Sequence, residues 1–363
     1  MATKNDRRTP WMATHPGTIL KYELEDRNLT QKEFAILIGM QKSHVSEIIT
    51  GKRPITMTIA EKIECKLGIS AVTLVNMQKQ YEYDTNIINQ KEIEEQKAIN
   101  ILKLYNEIFD INSFFKRCAI HMDTAIEKLN HLRGVCNLPK PAELKLEVDG
   151  MFKKSAKTGL DARMLMTWKI LAEKKALSEN ATGKFDRKDE GKVVEELKKI
   201  LHKNQNTEKL VKETLSKYGI VFCIEEKIEK ASIDGYSYIE NETPYIILTK
   251  RYDRIDNFAF AIMHEIGHIY LHYTEGVKSK LSIENYDNDS SEEKAANNYA
   301  ANALIPNQEW KNAPKVRVNP ITIQREYTNW ALNKGMNKWI VLGRISHETG
   351  MYKFKSDDSR KIG

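Results

Sequence analysis

The chain has 363 residues, 41% of them hydrophobic and 29% charged, with a formal net charge of +7 at pH 7. That length predicts two or three domains, each with enough apolar residues for its own core. No apolar run approaches the roughly 20 residues of a membrane span, residues 1–8 lack the apolar core of a signal peptide, and Cys65, Cys118, Cys136 and Cys223 are scattered, so a cytosolic protein with no membrane partner is expected. The charge is uneven. Residues 1–80 carry 12 Lys/Arg against 8 Asp/Glu, and residues 311–363 carry 11 against 4, a balance that allows nucleic-acid contact.

Residues 12–80 predict a bundle of short helices. His15-Pro16-Gly17 opens a helix with Ile19, Leu20 and Leu24 at core spacing. Thr30 reads as the N-cap of a second helix, with Glu33 at the capping-box position and Gly39 permitting the tight turn after it. A third helix, 41–49, turns Val45 and Ile48 inward and Lys42, Ser43, Ser46 and Glu47 outward. Such a short polar helix after a tight turn makes a helix-turn-helix whose reading face suits a major groove.

Through His15-Pro16-Gly17, Leu29-Thr30-Gln31-Lys32-Glu33, Val45-Ser46-Glu47-Ile48, Gly51-Lys52-Arg53-Pro54-Ile55 and Asn76-Met77-Gln78, this stretch resembles the Xre-type repressors, and within them the HigA antitoxins. Leu74 departs from the aromatic usual before the last motif. The resemblance implies base reading by Gln31, Lys42 and Ser43, with Ser46 and Glu47 on the same face and Lys52 and Arg53 near phosphates. It also implies a homodimer on an inverted-repeat operator in double-stranded DNA, and operons with a toxin partner. A helix-turn-helix kept only for dimerisation is the bland alternative, and the polar face from Lys42 to Glu47 speaks against it.

Residues 81–205 read as a helical connector. Positions 82–110 are rich in Glu, Lys, Ile and Leu, with apolar spacing too irregular for a coiled coil. Pro139-Lys140-Pro141 marks a joint, while 151–155 and 162–168 resemble the helical lead-in of proteins in which such a helix-turn-helix is fused to a second domain. The polar run 178–192 reads as a loop and a boundary; with 81–95 it offers exposed backbone where the chain could be cut. From Glu208 the pattern turns mixed: a helix over 210–218, then strands over 219–224, 233–239 and 245–249, the last two joined by a turn at 240–244.

The next helix carries Phe258-Ala-Phe-Ala-Ile-Met-His264-Glu265-Ile-Gly-His268. Two His four residues apart share a helix face, so both imidazoles can reach one metal. Glu265 sits about 100° round the helix, better placed to work on a water than to bind the metal. A catalytic zinc takes three protein ligands, so a third should follow. In 291–306, small residues allow a close second helix that Pro306 stops. Glu293 faces the metal there if Ala296, Ala300 and Leu304 form the packed stripe; Glu292 is its rival by one position. His272 follows His268 by four residues with no Gly between, unlike the metzincin pattern, and reads as orienting a ligand or ending the helix.

His264-Glu265-Ile-Gly-His268, then Glu293-Lys-Ala-Ala296-Asn297-Asn-Tyr299-Ala300 and Pro306, resemble the ImmA/IrrE metallopeptidases, with Ala295 departing from a commonly acidic position. Leu271-His272 and the 339–345 run fit that pattern too. The resemblance implies Zn2+ held by His264, His268 and Glu293, with Glu265 as the proton-transferring residue of a metalloendopeptidase. Its substrate would be a regulatory protein or this chain itself, bound along a sheet edge. Tyr273, Tyr299 and His272 are equal candidates for steadying the oxyanion.

The expected fold is mainly α with an α+β part: an all-α, lambda-repressor-like helix-turn-helix domain over 12–80, the connector over 81–205, a zincin-like α+β metallopeptidase domain over 206–312, and a basic helical extension over 313–363. A repressor whose zinc domain is only a sensor or partner-binding scaffold is the alternative; Glu265 speaks against it, because a site kept for metal alone does not need that residue.

Overall fold

The computed structural model describes residues 10, 12–145, 161–231, 233–250, 252–273, 279–283, 291–316 and 319–363. The 151–155 run therefore lies outside the described residues. The chain forms two compact units, one from the described parts of 1–101 with 122–130, the other from 102–121 with 131–363. The architecture is the expected one, predominantly helical with a small sheet in the second unit.

In the first unit, α1 (Gly17–Asp26), α2 (Gln31–Leu37), α3 (Lys42–Ile49) and α4 (Met57–Leu67) pack around Leu20, Phe34, Val45, Ile48 and Ile63. The capping box forms as read: the Thr30 hydroxyl accepts from Glu33 N at 3.2 Å, and the Glu33 carboxylate accepts from Thr30 N at 2.9 Å. Gly39 leaves α2 with φ +62°, a left-handed conformation that glycine adopts without steric cost. At Gly17 a Cβ would run into the Ile48 carbonyl, so this glycine lets α1 start against the end of α3.

One helix, α5 (Ala71–Ile108), spans 38 residues. The linker helix expected from 82 thus begins eleven positions earlier, and Asn76-Met77-Gln78 lies inside it. Buried Gln78 accepts from Ile55 N at 3.1 Å, tying its start to the bundle. The run 81–95 is helical throughout, which corrects its reading as backbone free to be cut: a protease needs it extended. Two short helices follow, α6 (Ile111–Arg117) and α7 (Ala125–Asn130), the latter running into a π turn over His131–Val135.

The second unit continues with α8 (Ala162–Leu177), α9 (Glu190–Lys203) and α10 (Thr207–Lys217), then β1 (Val221–Glu225), β2 (Ile233–Glu240), β3 (Thr243–Thr249), α11 (Ile255–Leu271), β4 (Ser279–Ile283), α12 (Ser291–Leu304), α13 (Asn307–Trp310), α14 (Pro320–Asn333) and α15 (Lys338–Thr349). The sheet order is β1-β3-β2-β4, with β1 parallel to β3 and the other pairs antiparallel. The β2–β3 turn is tighter than the expected 240–244: Asn241 and Glu242 alone make it, at φ +48° and +65°, and Pro244 already pairs with Ile239. Alternate residues bury opposite faces. Phe222, Ile246 and Leu248 join the core beneath α11, whereas Cys223, Tyr236 and Ile247 pack with Leu165 and Trp168 of α8.

Two stretches outside the expected 206–312 domain pack against this core. In 178–192 the loop gives way to a short 3-10 turn at Arg187–Asp189, and α9 starts at Glu190. Phe185 packs on the Tyr270 ring at 5.6 Å, and Arg187 donates to the Tyr270 carbonyl at 3.0 Å and to that of Tyr273, satisfying free carbonyls at the end of α11. One apolar anchor and one guanidinium inside a polar run are enough to fasten it, so it is no loose boundary. Likewise the 313–363 stretch buries Ile323, Tyr327, Trp339, Val341 and Leu342 in the same cluster as Ile262 and Ile266.

Candidate metal centre and nucleic-acid interface

α11 presents His264 and His268 one turn apart, with Nε2 atoms 2.9 Å from each other. α12 brings Glu293 to the same point. Its carboxylate lies 3.1 Å from His264 Nε2 and 3.4 Å from His268 Nε2, and the three ligand atoms lie within 4.8 Å of one another. Ala296, Ala300 and Leu304 form the buried stripe that turns Glu293 inward. Close approach of the helices needs Gly267, where a Cβ would stand 3.0 Å from the Tyr299 ring.

The outer ring nitrogens decide what the inner ones can do. His264 Nδ1 lies 2.9 Å from Asn297 Oδ1, an acceptor, so that nitrogen carries a proton and Nε2 faces the site, where it can donate to Glu293 or, once deprotonated, offer its lone pair to a metal. His268 Nδ1 pairs with His272 Nδ1 at 3.0 Å, which places His272 beside a candidate ligand rather than among the three. Two nitrogens and one carboxylate converging at these spacings fit a zinc ion, whose ligands at 2.0–2.1 Å stand roughly 3.3 Å apart in a tetrahedral set.

Charge favours the same arrangement. Burial pushes the Glu293 carboxyl up, but hydrogen bonds from His264 and His268 outweigh it and hold the group well below the ordinary carboxylate range. Burial alone would lower His264; the hydrogen bond to Glu293 and the nearby charge of Glu265 raise it instead. Glu265 is 1% exposed and accepts from the Ser237 hydroxyl on β2. Of the residues considered for the oxyanion, Tyr273 is already engaged, its hydroxyl donating to the Ser237 carbonyl at 2.6 Å. Burial next to Glu190 pushes the Tyr299 hydroxyl far above the ordinary tyrosine range.

Asn297, Ser237 and Gly235 had no assigned role in the sequence. Asn297 stood inside the motif and one turn beyond Glu293, a spacing that could have flagged it. Ser237 and Gly235 gave no signal, because only the packing of β2 on α11 brings them to Glu265.

In the first unit, α3 buries Val45 and Ile48 and leaves Lys42 and Ser43 exposed, with Ser46 and Glu47 half-buried beside them. Gln31 at the start of α2 is half-buried and Lys52 exposed. Arg53 is not free: its Nε donates to Glu47 at 2.8 Å, and this bond holds the Glu47 carboxyl below its ordinary value. Glu47 and Arg53, the expected base and phosphate contacts, therefore constrain each other's side chains.

Residues 20–74 match the helix-turn-helix family, and residues 216–330 match the IrrE N-terminal-like domain. The uncharacterised HTH-type transcriptional regulator YddM of Escherichia coli K12 is 33% identical over 69 residues, which are 18% of this chain and 73% of that protein. Among solved structures, a candidate antidote protein of a plasmid maintenance system from Nostoc punctiforme is 28% identical, over 23% of this chain and 93% of its own, with a TM-score of 0.23. An addiction module antidote protein of a HigA family from Coxiella burnetii is 26% identical, over 23% and 92%, with a TM-score of 0.22. Among the described residues, no helix is long and apolar enough to cross a membrane.

Proposed function

This chain belongs to the helix-turn-helix transcriptional regulators and carries an IrrE N-terminal-like domain, and we propose that it is a DNA-binding regulator which hydrolyses a peptide bond in a regulatory protein or in itself. The observation that carries the peptidase half is the convergence of His264, His268 and Glu293 beside a buried Glu265. His264 and His268 through Nε2, and Glu293 through its carboxylate, would hold zinc; Asn297 and His272 orient the two imidazoles for it. When bound, zinc polarises the peptide carbonyl and makes a neighbouring water more acidic. Glu265 takes the proton of the attacking water on a carboxylate oxygen and delivers it to the leaving amine. Burial of that carboxylate keeps bulk water from competing for the proton.

For the DNA half, α3 enters the major groove of an operator and a dimer spans an inverted repeat with half-sites about one helical turn apart. Lys42 and Ser43 reach base edges, with Gln31, Ser46 and Glu47 flanking them, while Lys52 and Arg53 set the backbone register. The protein works in the cytosol, where its operator is.

Purified full-length chain loaded with zinc, incubated with a peptide library and read by mass spectrometry, tests the peptidase reading. The wild type is expected to cut at discrete sites, and Glu265→Gln with the same zinc content is expected not to. No cleavage by either, with zinc bound in both, would leave the site as a metal sensor or a scaffold.

A further inference from the structure

We infer that Ser237 is a positioning residue that fixes the Glu265 carboxylate for its work on water, and that Gly235 provides the space in which that carboxylate lies; the inference rests on the peptidase reading above. Ser237 stands fully buried in the middle of β2. A buried hydroxyl without a partner costs stability, and this one is spent on Glu265, donating to Oε2. Two residues earlier, and so on the same face of the strand, Gly235 lies directly under the other oxygen: a Cβ there would collide with Glu265 Oε1. One position grips the carboxylate and the other leaves it room.

The strand that does this is itself held. Tyr273, just beyond the end of α11 and 2% exposed, donates its hydroxyl to the Ser237 carbonyl at 2.6 Å and lies 2.9 Å from the Ser237 hydroxyl. α11 is thereby tied to β2 at Glu265 and again at Tyr273. With Tyr273 giving its proton to the carbonyl, the Ser237 proton goes to Glu265. Ser237 occupies one of the roughly four lone-pair sites of the carboxylate, which leaves the others for the water. A neutral hydroxyl suits this task, because it fixes direction without adding a charge beside the metal centre.

Displacing a reacting group by about 1 Å costs on the order of a hundredfold in rate, which sets the expected effect. In full-length protein loaded with zinc, Ser237→Ala is expected to keep its zinc and its KM and to lose roughly ten- to hundredfold in kcat. Ser237→Thr, which keeps the hydroxyl, should recover most of it, and Gly235→Ala should lose kcat by displacing Oε1. A second readout does not depend on activity: melting temperatures of metal-free Ser237→Ala, Glu265→Ala and the double variant. Ser237→Ala should lower the midpoint when Glu265 is present and change it little in the Glu265→Ala background. Additive shifts, an unchanged kcat in Ser237→Ala, or a folded Ser237→Thr no better than Ser237→Ala would overturn the inference. If zinc-loaded wild type cuts nothing, the peptidase reading fails by itself, and the melting cycle still decides whether Ser237 holds Glu265.

Discussion

Each histidine of the centre is fixed by the nitrogen that faces away from it, and this ranks the expected losses of metal. His264→Ala and His268→Ala remove a ligand and should abolish tight zinc binding; Glu293→Ala should weaken it strongly. Asn297→Ala and His272→Ala disturb only orientation, so both should still load with zinc, at affinities lower by roughly 10- to 100-fold in competition with a chelator. Glu293→Ala with normal zinc, alongside loss in Glu292→Ala, would show the acid to be misassigned. Spacing made His264, Glu265 and His268 legible, because four residues on a helix fix a shared face whatever surrounds it. Glu293 could be placed only to within one position until Ala296, Ala300 and Leu304 were seen to be buried.

A residue remote from the zinc site carries a separate prediction. Asp256, in the first turn of α11, is buried against Arg254 and Arg360. Burial pushes its carboxyl up, but hydrogen bonds from the two guanidinium groups bring it below the ordinary value. A carboxyl with a lowered folded pKa adds stability that is complete above the unfolded value of about 3.9 and is lost as pH falls through the folded one. Asp256→Ala should therefore cost about 2–3 kcal/mol in urea unfolding at pH 7, less than a fully buried pair because Arg254 is one-third exposed. The deficit should be the same at pH 5 and shrink below pH 4. A deficit that grew with acid would refute this account.

Among the elements, α3 carries the DNA prediction. Replacing Lys42 and Ser43 together by Ala should cut preference for the chain's own promoter over random DNA, since a good base contact discriminates by about 1–3 kcal/mol. Arg53→Ala should weaken binding to promoter and random DNA both and lower the slope against salt by about one ion. It also releases Glu47, whose carboxylate Arg53 now holds, so some sequence preference should change with it. Salt titrations on promoter and random fragments separate the two effects, and equal affinity for both fragments in the wild type would count against the regulator reading.

The helices and strands were legible where the pattern was local. The capping box at Thr30 and Glu33, the short aromatic and β-branched runs of β2 and β3, and the stop at Pro306 each depend on near neighbours. Where structure depends on distant partners, the pattern misled. The 178–192 run has no apolar side chain besides Ala181 and Phe185, and its fastening to Tyr270 and Tyr273 spans more than eighty positions. β4 was missed for a related reason: five residues pairing with a strand more than forty positions earlier leave no periodic signal of their own. The left-handed pair Asn241 and Glu242 closed the β2–β3 turn earlier than its polar flanks suggested.

For the whole molecule, the claim is that one chain binds an operator and cuts a protein. Under the proposed function, joining the two activities would give the peptidase a high effective concentration toward its own chain, so self-cleavage would have to be restrained at rest. Of the two stretches read as exposed cutting sites, 81–95 lies inside α5 and would need local unwinding, whereas 178–186 is an irregular, largely exposed segment that is pinned to the end of α11 at Phe185 and Arg187. A signal that loosens either stretch would therefore permit cleavage in cis; a separate protein with a free extended segment would be cut in trans. The most direct measurement follows new protein N-termini by mass spectrometry in cells that express either the wild type or Glu265→Gln, with tags on both ends of the chain and zinc content checked in each. The account predicts at least one cleavage, in a regulatory protein or in this chain, that appears with the wild type and is missing with Glu265→Gln although both hold zinc. Identical sets of termini, with zinc equally bound, would contradict it.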